Sequence, residues 1–214
     1  TAVTGVVLAS SSALLSEGIS PLRGEAEDRA GDELAGSRYA LRAIPVGITT
    51  VTTDPEAFAE AVWQACGNEN LTRQEFQAAA LVAAAISLGI DKKNYRASGI
   101  ASFLQEAINY VAALPPRGSS NSEPDVLQAA RKALDIVANY RSDALERLRD
   151  STGTSADPTQ AVPAAFALVH KSESRFAAVS AAILGGETSL IAAISSAVQG
   201  AICGITMFSP NDLD

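Results

Sequence analysis

Hydrophobic positions recur with helical spacing along the chain, and glycine, proline and polar clusters separate the segments. No segment alternates strictly between apolar and polar residues, as a half-buried strand would. We therefore predict an all-α fold, a single compact multi-helix domain over residues 1–214. The predicted helical segments are 2–15, 39–48 (an irregular turn of helix), 54–66, 73–88, 98–114, 125–149, 159–170, 172–184 and 188–205.

Local signals predict where several of these helices begin and end. Asp54 before Pro55 predicts a helix start, because aspartate accepts backbone N–H bonds and proline suits the first turn. Thr72 and Glu75 have the spacing of a capping box, in which each side chain bonds the other residue's backbone N–H. Gly89 is predicted to end the helix that the box begins.

Two segments differ from the others because they lack a broad polar face. The segment 73–88 is apolar nearly all round, and 188–205 is again apolar and rich in small residues. A helix without a polar face is a buried helix. We therefore predict two buried Ala-rich helices wrapped by amphipathic ones.

Composition narrows the classes of partner. The chain is 47% hydrophobic but only 5% aromatic, so its core must consist of Ala, Val, Leu and Ile. The net charge of −8 argues against a nucleic-acid partner, which needs clustered cations. No apolar stretch reaches about 18 residues, so no membrane partner is expected. Cys66 and Cys203 lie in apolar helical patterns, which predicts buried free thiols and a reducing, cytoplasmic location.

The candidate chemistry lies near the end of the chain. Gly185 and Gly186 end one helix, and Glu187, Thr188 and Ser189 open the next. Their oxygens lie at a helix N-terminus, where hard oxygen ligands could meet a divalent cation. Taken alone, an ordinary helix cap is the simpler explanation of Glu187 or Thr188 at this place. The single histidine, His170, is predicted to interact with a helix C-terminus or solvent rather than to act as a base. Trp63 is predicted to anchor the core or an interface.

This last segment resembles the C-terminal signature of the ADP-ribosylglycohydrolase family, Gly-Gly-Asp-Thr-Asp followed by Thr-Ile-Ala-Ala-Ile and small residues. Three further stretches follow in the family's order. Residues 36–47 are similar to its Gly-Asn-Gly-Ser-Ala-Met-Arg loop, 71–73 lie where the family has Thr-His, and 161–166 match its Val-Pro-Ala-Ala stretch.

The resemblance implies an all-α hydrolase that holds two magnesium ions and cleaves a glycosidic bond to ADP-ribose. The metals would orient the ribose hydroxyls and activate a water. By position in the motif, the implied metal ligands are Glu187, Thr188 and Ser189. The implied contacts with ADP-ribose, or with an ADP-ribosylated substrate, are Ser37, Tyr39, Ala40 and Leu41. No catalytic residue is assigned.

Several positions depart from the family pattern. Glu187 and Ser189 stand where the family has Asp, Arg38 where it has Gly, and Arg73 where it has His. The family's opening Gly-rich helix and Thr-Asp-Asp stretch have no counterpart, so the chain is expected to lack the N-terminal part. Asp28 and Asp32 are predicted to be solvated charges. Thr1 is expected to be a chain boundary rather than an N-terminal nucleophile.

These departures leave three hypotheses. The chain is a hydrolase of ADP-ribosyl linkages if a complete metal site forms, or a catalytically inactive relative that acts as a binding or structural module. The third is a small helical interaction protein with an accidental resemblance. Apolar surface left by a missing part predicts self-association or a partner chain.

Overall fold

The computed structural model describes residues 35–67, 71–91, 99–119, 125–140, 142–171 and 177–204. The predictions for Thr1, for 2–15, for Asp28 and Asp32, and for one end of each of three later helices (98–114, 172–184 and 188–205) lie outside these residues. The described helices belong to one compact unit, Glu33–Asp214. They are α1 Ala35–Arg42, α2 Ile44–Thr49, α3 Pro55–Cys66, α4 Arg73–Asp91, α5 Gly99–Ala112, α6 Val126–Asn139, α7 Ala144–Thr152, α8 Pro158–Lys171, α9 Ala177–Leu184 and α10 Thr188–Cys203.

The all-α prediction is confirmed, because the described residues contain helices and no strand. Their one extended pairing is an isolated bridge between Thr72 and Ser119. It joins the start of α4 to the segment that follows α5. None of the described helices combines the length and the apolar character that a membrane crossing requires.

Two helices are buried along most of their length, as predicted, but the second is not the one expected. Residues 76–89 of α4 are buried, and so is nearly every residue of α8 from Pro158 to Val169. The helix after Gly185, α10, instead buries one face, formed by residues such as Ile191, Ile194 and Val198. The helix α10 packs against α4 and α8, so the face toward those two helices is the one that is buried.

Glycines allow two very close helix contacts at α4. A Cβ at Gly47 of α2 would lie 2.6 Å from the carbonyl oxygen of Ala83, so only glycine fits there. Gly89 does not end α4 as predicted, since the helix continues to Asp91. A Cβ at Gly89 would lie 3.1 Å from Ala201, so this glycine is where α10 approaches α4 closely.

The predicted helix 125–149 is two helices. The chain becomes extended at Tyr140, and α7 begins after Asp143. The apolar positions keep a helical spacing across the break, so periodicity alone did not reveal it. A side chain that competes for backbone hydrogen bonds marks the break. The Asn139 side-chain amide donates to the Asp135 carbonyl at 2.8 Å.

The capping predictions are confirmed. The Asp54 carboxylate accepts from the backbone N–H groups of Glu56 and Ala57, both at 3.1 Å. The Thr72 N–H donates to the Glu75 carboxylate at 2.8 Å, and the Glu75 N–H donates to the Thr72 hydroxyl at 3.2 Å.

The predictions for the cysteines and the tryptophan are confirmed in part. Cys66 is a buried free thiol, and burial raises its pKa to about 11. Cys203 is also free but only half-buried. Trp63 packs against the core beside Phe76, with ring centroids 6.2 Å apart.

Candidate functional site

The loop 153–157, between α7 and α8, is the centre of the candidate site. The loop is bonded to the start of α8 in two ways: Gln160 of α8 accepts from the Ser155 N–H at 3.1 Å, and Asp157 of the loop accepts from the Thr159 N–H at 2.7 Å. A Cβ at Gly153 would overlap the Gln160 amide. The loop is therefore a tightly bonded turn that can orient the segments attached to it.

The first attached segment is α1. Ser37 is fully buried, and its hydroxyl donates to the carbonyl oxygen of Ala156. This bond joins residues that are 119 positions apart in the chain. It fixes the start of α1 to the loop.

The second attached segment is the turn before α10. Gly185 and Gly186 both have positive φ, 81° and 70°. A Cβ at Gly186 would overlap Thr154, so glycine is required both for the backbone conformation and for the contact. The N–H of Glu187 then donates to the Thr154 carbonyl at 2.8 Å. One loop thus bonds both family-like segments through residues 154 and 156.

The carboxylate of Glu187 does not serve as a helix cap. Glu187 occupies the N-cap position of α10, but its side chain makes no capping hydrogen bond. The neighbouring hydroxyl of Thr188 donates to the Gly186 carbonyl at 3.3 Å, and Ser189 is exposed. The ordinary-cap interpretation of Glu187 is therefore wrong, and its half-buried carboxylate is not engaged in binding the backbone of α10.

The four residues predicted to contact ADP-ribose lie on α1 with different exposures. Ser37, Tyr39 and Ala40 are buried, and Leu41 is half-buried against the core. Arg42 lies over the Tyr39 ring, with its guanidinium carbon 5.6 Å from the centroid. Direct contact of these residues with a ligand stays a prediction.

A residue that the sequence analysis did not identify supports the turn. Arg149 of α7 donates through Nε to the Leu184 carbonyl at 2.8 Å and through Nη2 to the Ile183 carbonyl at 2.9 Å. It thereby satisfies the C-terminal carbonyls of α9 just before the two glycines. An arginine that acts 35 positions away leaves no local signal in a sequence.

The described residues offer few ligands for a metal. No group of three His, Cys, Asp or Glu side chains within them could hold an ion. His170 lies in the last turn of α8, as predicted, and burial lowers its pKa. Desolvation is the cause of this shift, because burial disfavours the charged imidazolium.

Comparison with known proteins identifies the family. The chain is 28% identical over 176 residues to the Uncharacterized protein YegU of Escherichia coli (strain K12), covering 80% of this chain and 51% of that protein. It therefore spans about half the length of this curated relative. The family model described as ADP-ribosylglycohydrolase matches residues 4–211. A match over nearly the whole sequence shows that the chain belongs to the ADP-ribosylglycohydrolase family.

Proposed function

We propose that this protein binds an ADP-ribosyl group where α1, the loop 153–157 and the start of α10 meet, and hydrolyses its glycosidic linkage when a complete metal site forms. The observation that supports this site is the shared loop. Thr154 bonds Glu187, and Ala156 accepts from Ser37, so two segments distant in sequence meet at one place.

Magnesium is the proposed cofactor, since the family is typically metal-dependent. Glu187, Thr188 and Ser189 are the proposed ligands from this part of the chain. Magnesium commonly binds one or two carboxylates and keeps several waters. One carboxylate with two hydroxyls fits a single, largely hydrated ion, whose chemistry would be polarisation of a ribose oxygen or of a water. It does not fit a pair of ions, so a second carboxylate set is required.

In this proposal the chain's own residues position the ligand groups. Gly186 and Thr154 hold the backbone turn, and Arg149 stabilises the preceding helix end. These contacts fix the backbone position from which the Glu187 side chain extends. They are the pre-organisation that a binding site needs from its supporting residues.

A binding or structural role without catalysis is the second candidate. It is favoured by the substitutions: Ser189 removes a carboxylate, and Arg38 and Arg73 replace Gly and His. Arg38 is exposed at α1, where a long cation changes access to the start of that helix. The two candidates share a binding site and differ in the metal.

The test is release of ADP-ribose from an ADP-ribosylated protein, with and without magnesium, using the full chain. Glu187→Gln is compared with Glu146→Gln, which removes an exposed carboxylate from α7. Hydrolysis predicts magnesium-dependent release that Glu187→Gln lowers and Glu146→Gln does not. Thermal stabilisation by ADP-ribose without release supports the binding module. A ligand at 100 times its Kd adds about 2.7 kcal/mol, so the absence of both release and stabilisation contradicts both candidates.

Free thiols and an exposed apolar face bear on the location and assembly of the protein. Cys66 and Cys203 are both free thiols, which supports a reducing compartment such as the cytoplasm. Val179 and Ile183 of α9 are 55% and 61% exposed and lie one helical turn apart. We propose that this face takes part in self-association.

A further inference from the structure

A cavity lies between the beginning of α4, the segment after α5 and the beginning of α6. Its volume is about 120 Å³. Its apolar wall includes Phe76 and Leu127, and three arginines line it: Arg73, Arg117 and Arg131. None of its described lining residues belongs to α1, to the loop 153–157 or to α10. It is therefore separate from the candidate site above.

The three guanidinium groups are held in different ways. Arg117 donates through Nη1 to the Glu60 carboxylate at 2.6 Å. Arg131 donates through Nη2 to the Asn109 side-chain oxygen at 3.3 Å. Arg73, at the start of α4, forms no ion pair with another described residue. Each arginine thus lines the cavity and keeps N–H groups for which no described residue is an acceptor.

One of these N–H groups is buried without an acceptor. The Nε of Arg117 is inaccessible to solvent and has no hydrogen-bond partner among the described residues. Buried donors in folded proteins almost always have partners, and a charged donor is the costliest to leave unpaired. The hydrogen bonds of the Arg117 guanidinium are therefore not all satisfied within the described residues.

The charge of the lining indicates an anion. The lining includes three arginines and one carboxylate, Asp125. Glu60 neutralises Arg117, so Arg73 and Arg131 against Asp125 leave a surplus of one positive charge. One oxygen of Asp125 is already engaged, because it accepts from the Leu127 N–H at 2.9 Å. In a chain with 16 basic and 24 acidic residues, three arginines at one small cavity are a local reversal of charge.

We propose that this cavity binds a phosphate or phosphoryl group. Guanidinium groups pair with phosphate oxygens through two parallel hydrogen bonds, which makes arginine clusters suited to this anion. Pockets for whole small molecules span about 300–1,000 Å³. The cavity is smaller, so it suits a single anionic group.

The test titrates the full chain with inorganic phosphate at constant ionic strength and measures binding by calorimetry and the shift in Tm. Saturable binding is expected, with sulfate as a competitor of the same shape. Arg73→Gln removes one charge-assisted hydrogen bond and should weaken binding about tenfold or more. Arg117→Lys keeps the charge but loses the planar guanidinium group, which pairs with phosphate through two hydrogen bonds, and should weaken it similarly.

Arg147→Gln is the matched control, because Arg147 pairs with Asp143 outside the cavity. It should bind phosphate as the unmodified chain does. Absence of saturable binding, or equal weakening by Arg73→Gln and Arg147→Gln, would overturn the proposal. Arg73 is exposed, so its variant tests the cavity even if Arg117→Lys does not fold.

A competition arm separates two sources of the phosphate. If phosphate displaces ADP-ribose and Arg73→Gln weakens both, the cavity binds a phosphoryl group of that ligand. If phosphate binds without affecting ADP-ribose, the cavity is an independent phosphate site. Inorganic phosphate tests the cavity without ADP-ribose, so failure of the function proposed above leaves this result interpretable.

Discussion

At the scale of single residues, glycine is required at a position just before α10 and is not required at a position within α10. Gly186 precedes α10 with φ of 70°, and its Cα hydrogen faces Thr154. Gly200 lies within α10, and a Cβ there would meet nothing within 4 Å. The first position requires glycine for space and conformation, whereas the second has a glycine that the helix does not need.

We therefore expect alanine to have opposite effects at these two positions. Gly186→Ala should lower the free energy of unfolding by about 1–3 kcal/mol, the typical cost of a strained positive φ, and the overlap with Thr154 should add to this loss. Gly200→Ala should raise it by about 0.5–1 kcal/mol through helix propensity. Urea denaturation of both variants measures the difference. Equal effects would contradict the close contact between Gly186 and Thr154.

The single imidazole provides a pH test. Burial lowers the pKa of His170 below its ordinary value of 6.5 in the folded state. The unfolded chain then binds the proton more tightly, so stability from this group is complete above pH 6.5 and declines as the pH falls through the folded pKa. NMR titration of the single histidine measures that pKa. His170→Gln should remove this part of the acid sensitivity; an unshifted titration would contradict the burial.

At the scale of elements, helix starts divide into capped and uncapped ones. Asp54 caps α3 through two backbone N–H groups, whereas Glu187 occupies the same position in α10 without a capping bond. Both are acids before an apolar helix, so the sequence predicted similar roles. The tight turn at Gly186 sets a different backbone geometry, with ψ of 59° at Glu187 instead of 98° at Asp54.

Removing each side chain should distinguish these roles. Asp54→Ala should lower the free energy of unfolding by about 1 kcal/mol, the usual loss of an N-cap. Glu187→Ala should cost about half of that or less, because it loses only an interaction with the helix dipole and no capping hydrogen bond. Chemical denaturation at moderate salt, which screens the dipole, sharpens the contrast. A loss at Glu187 as large as that at Asp54 would show that its carboxylate caps α10 after all.

Local signals predicted most helix starts but not every boundary. The capping box at Thr72 and Glu75 is confirmed because all its bonds lie within four residues. The break between α6 and α7 was missed because apolar spacing continues through Tyr140. Gly89 has the local pattern of a helix end. Its contact with Ala201 comes from a distant helix, and local sequence does not show such a contact.

At the scale of the whole molecule, the exposed face of α9 allows a test of assembly. Self-association should appear in analytical ultracentrifugation as a concentration-dependent dimer. Ile183→Glu places a charge on this face and should shift the equilibrium to monomer. Ile48→Glu is the control, because Ile48 is 55% exposed on α2. A monomer at all concentrations, or equal disruption by the two variants, would contradict the proposal.

The sequence by itself determined the helical class, the family, the buried character of α4 and the capped starts of α3 and α4. These follow from composition, periodicity and contacts within one helical turn. The tertiary structure decided which other helix is buried, that Glu187 is not a cap, and that one loop joins Ser37 to the turn at Gly186. It also brought Arg73, Arg117 and Arg131 to one cavity. Each of these depends on residues tens of positions apart, and packing of the whole chain decides which of them meet.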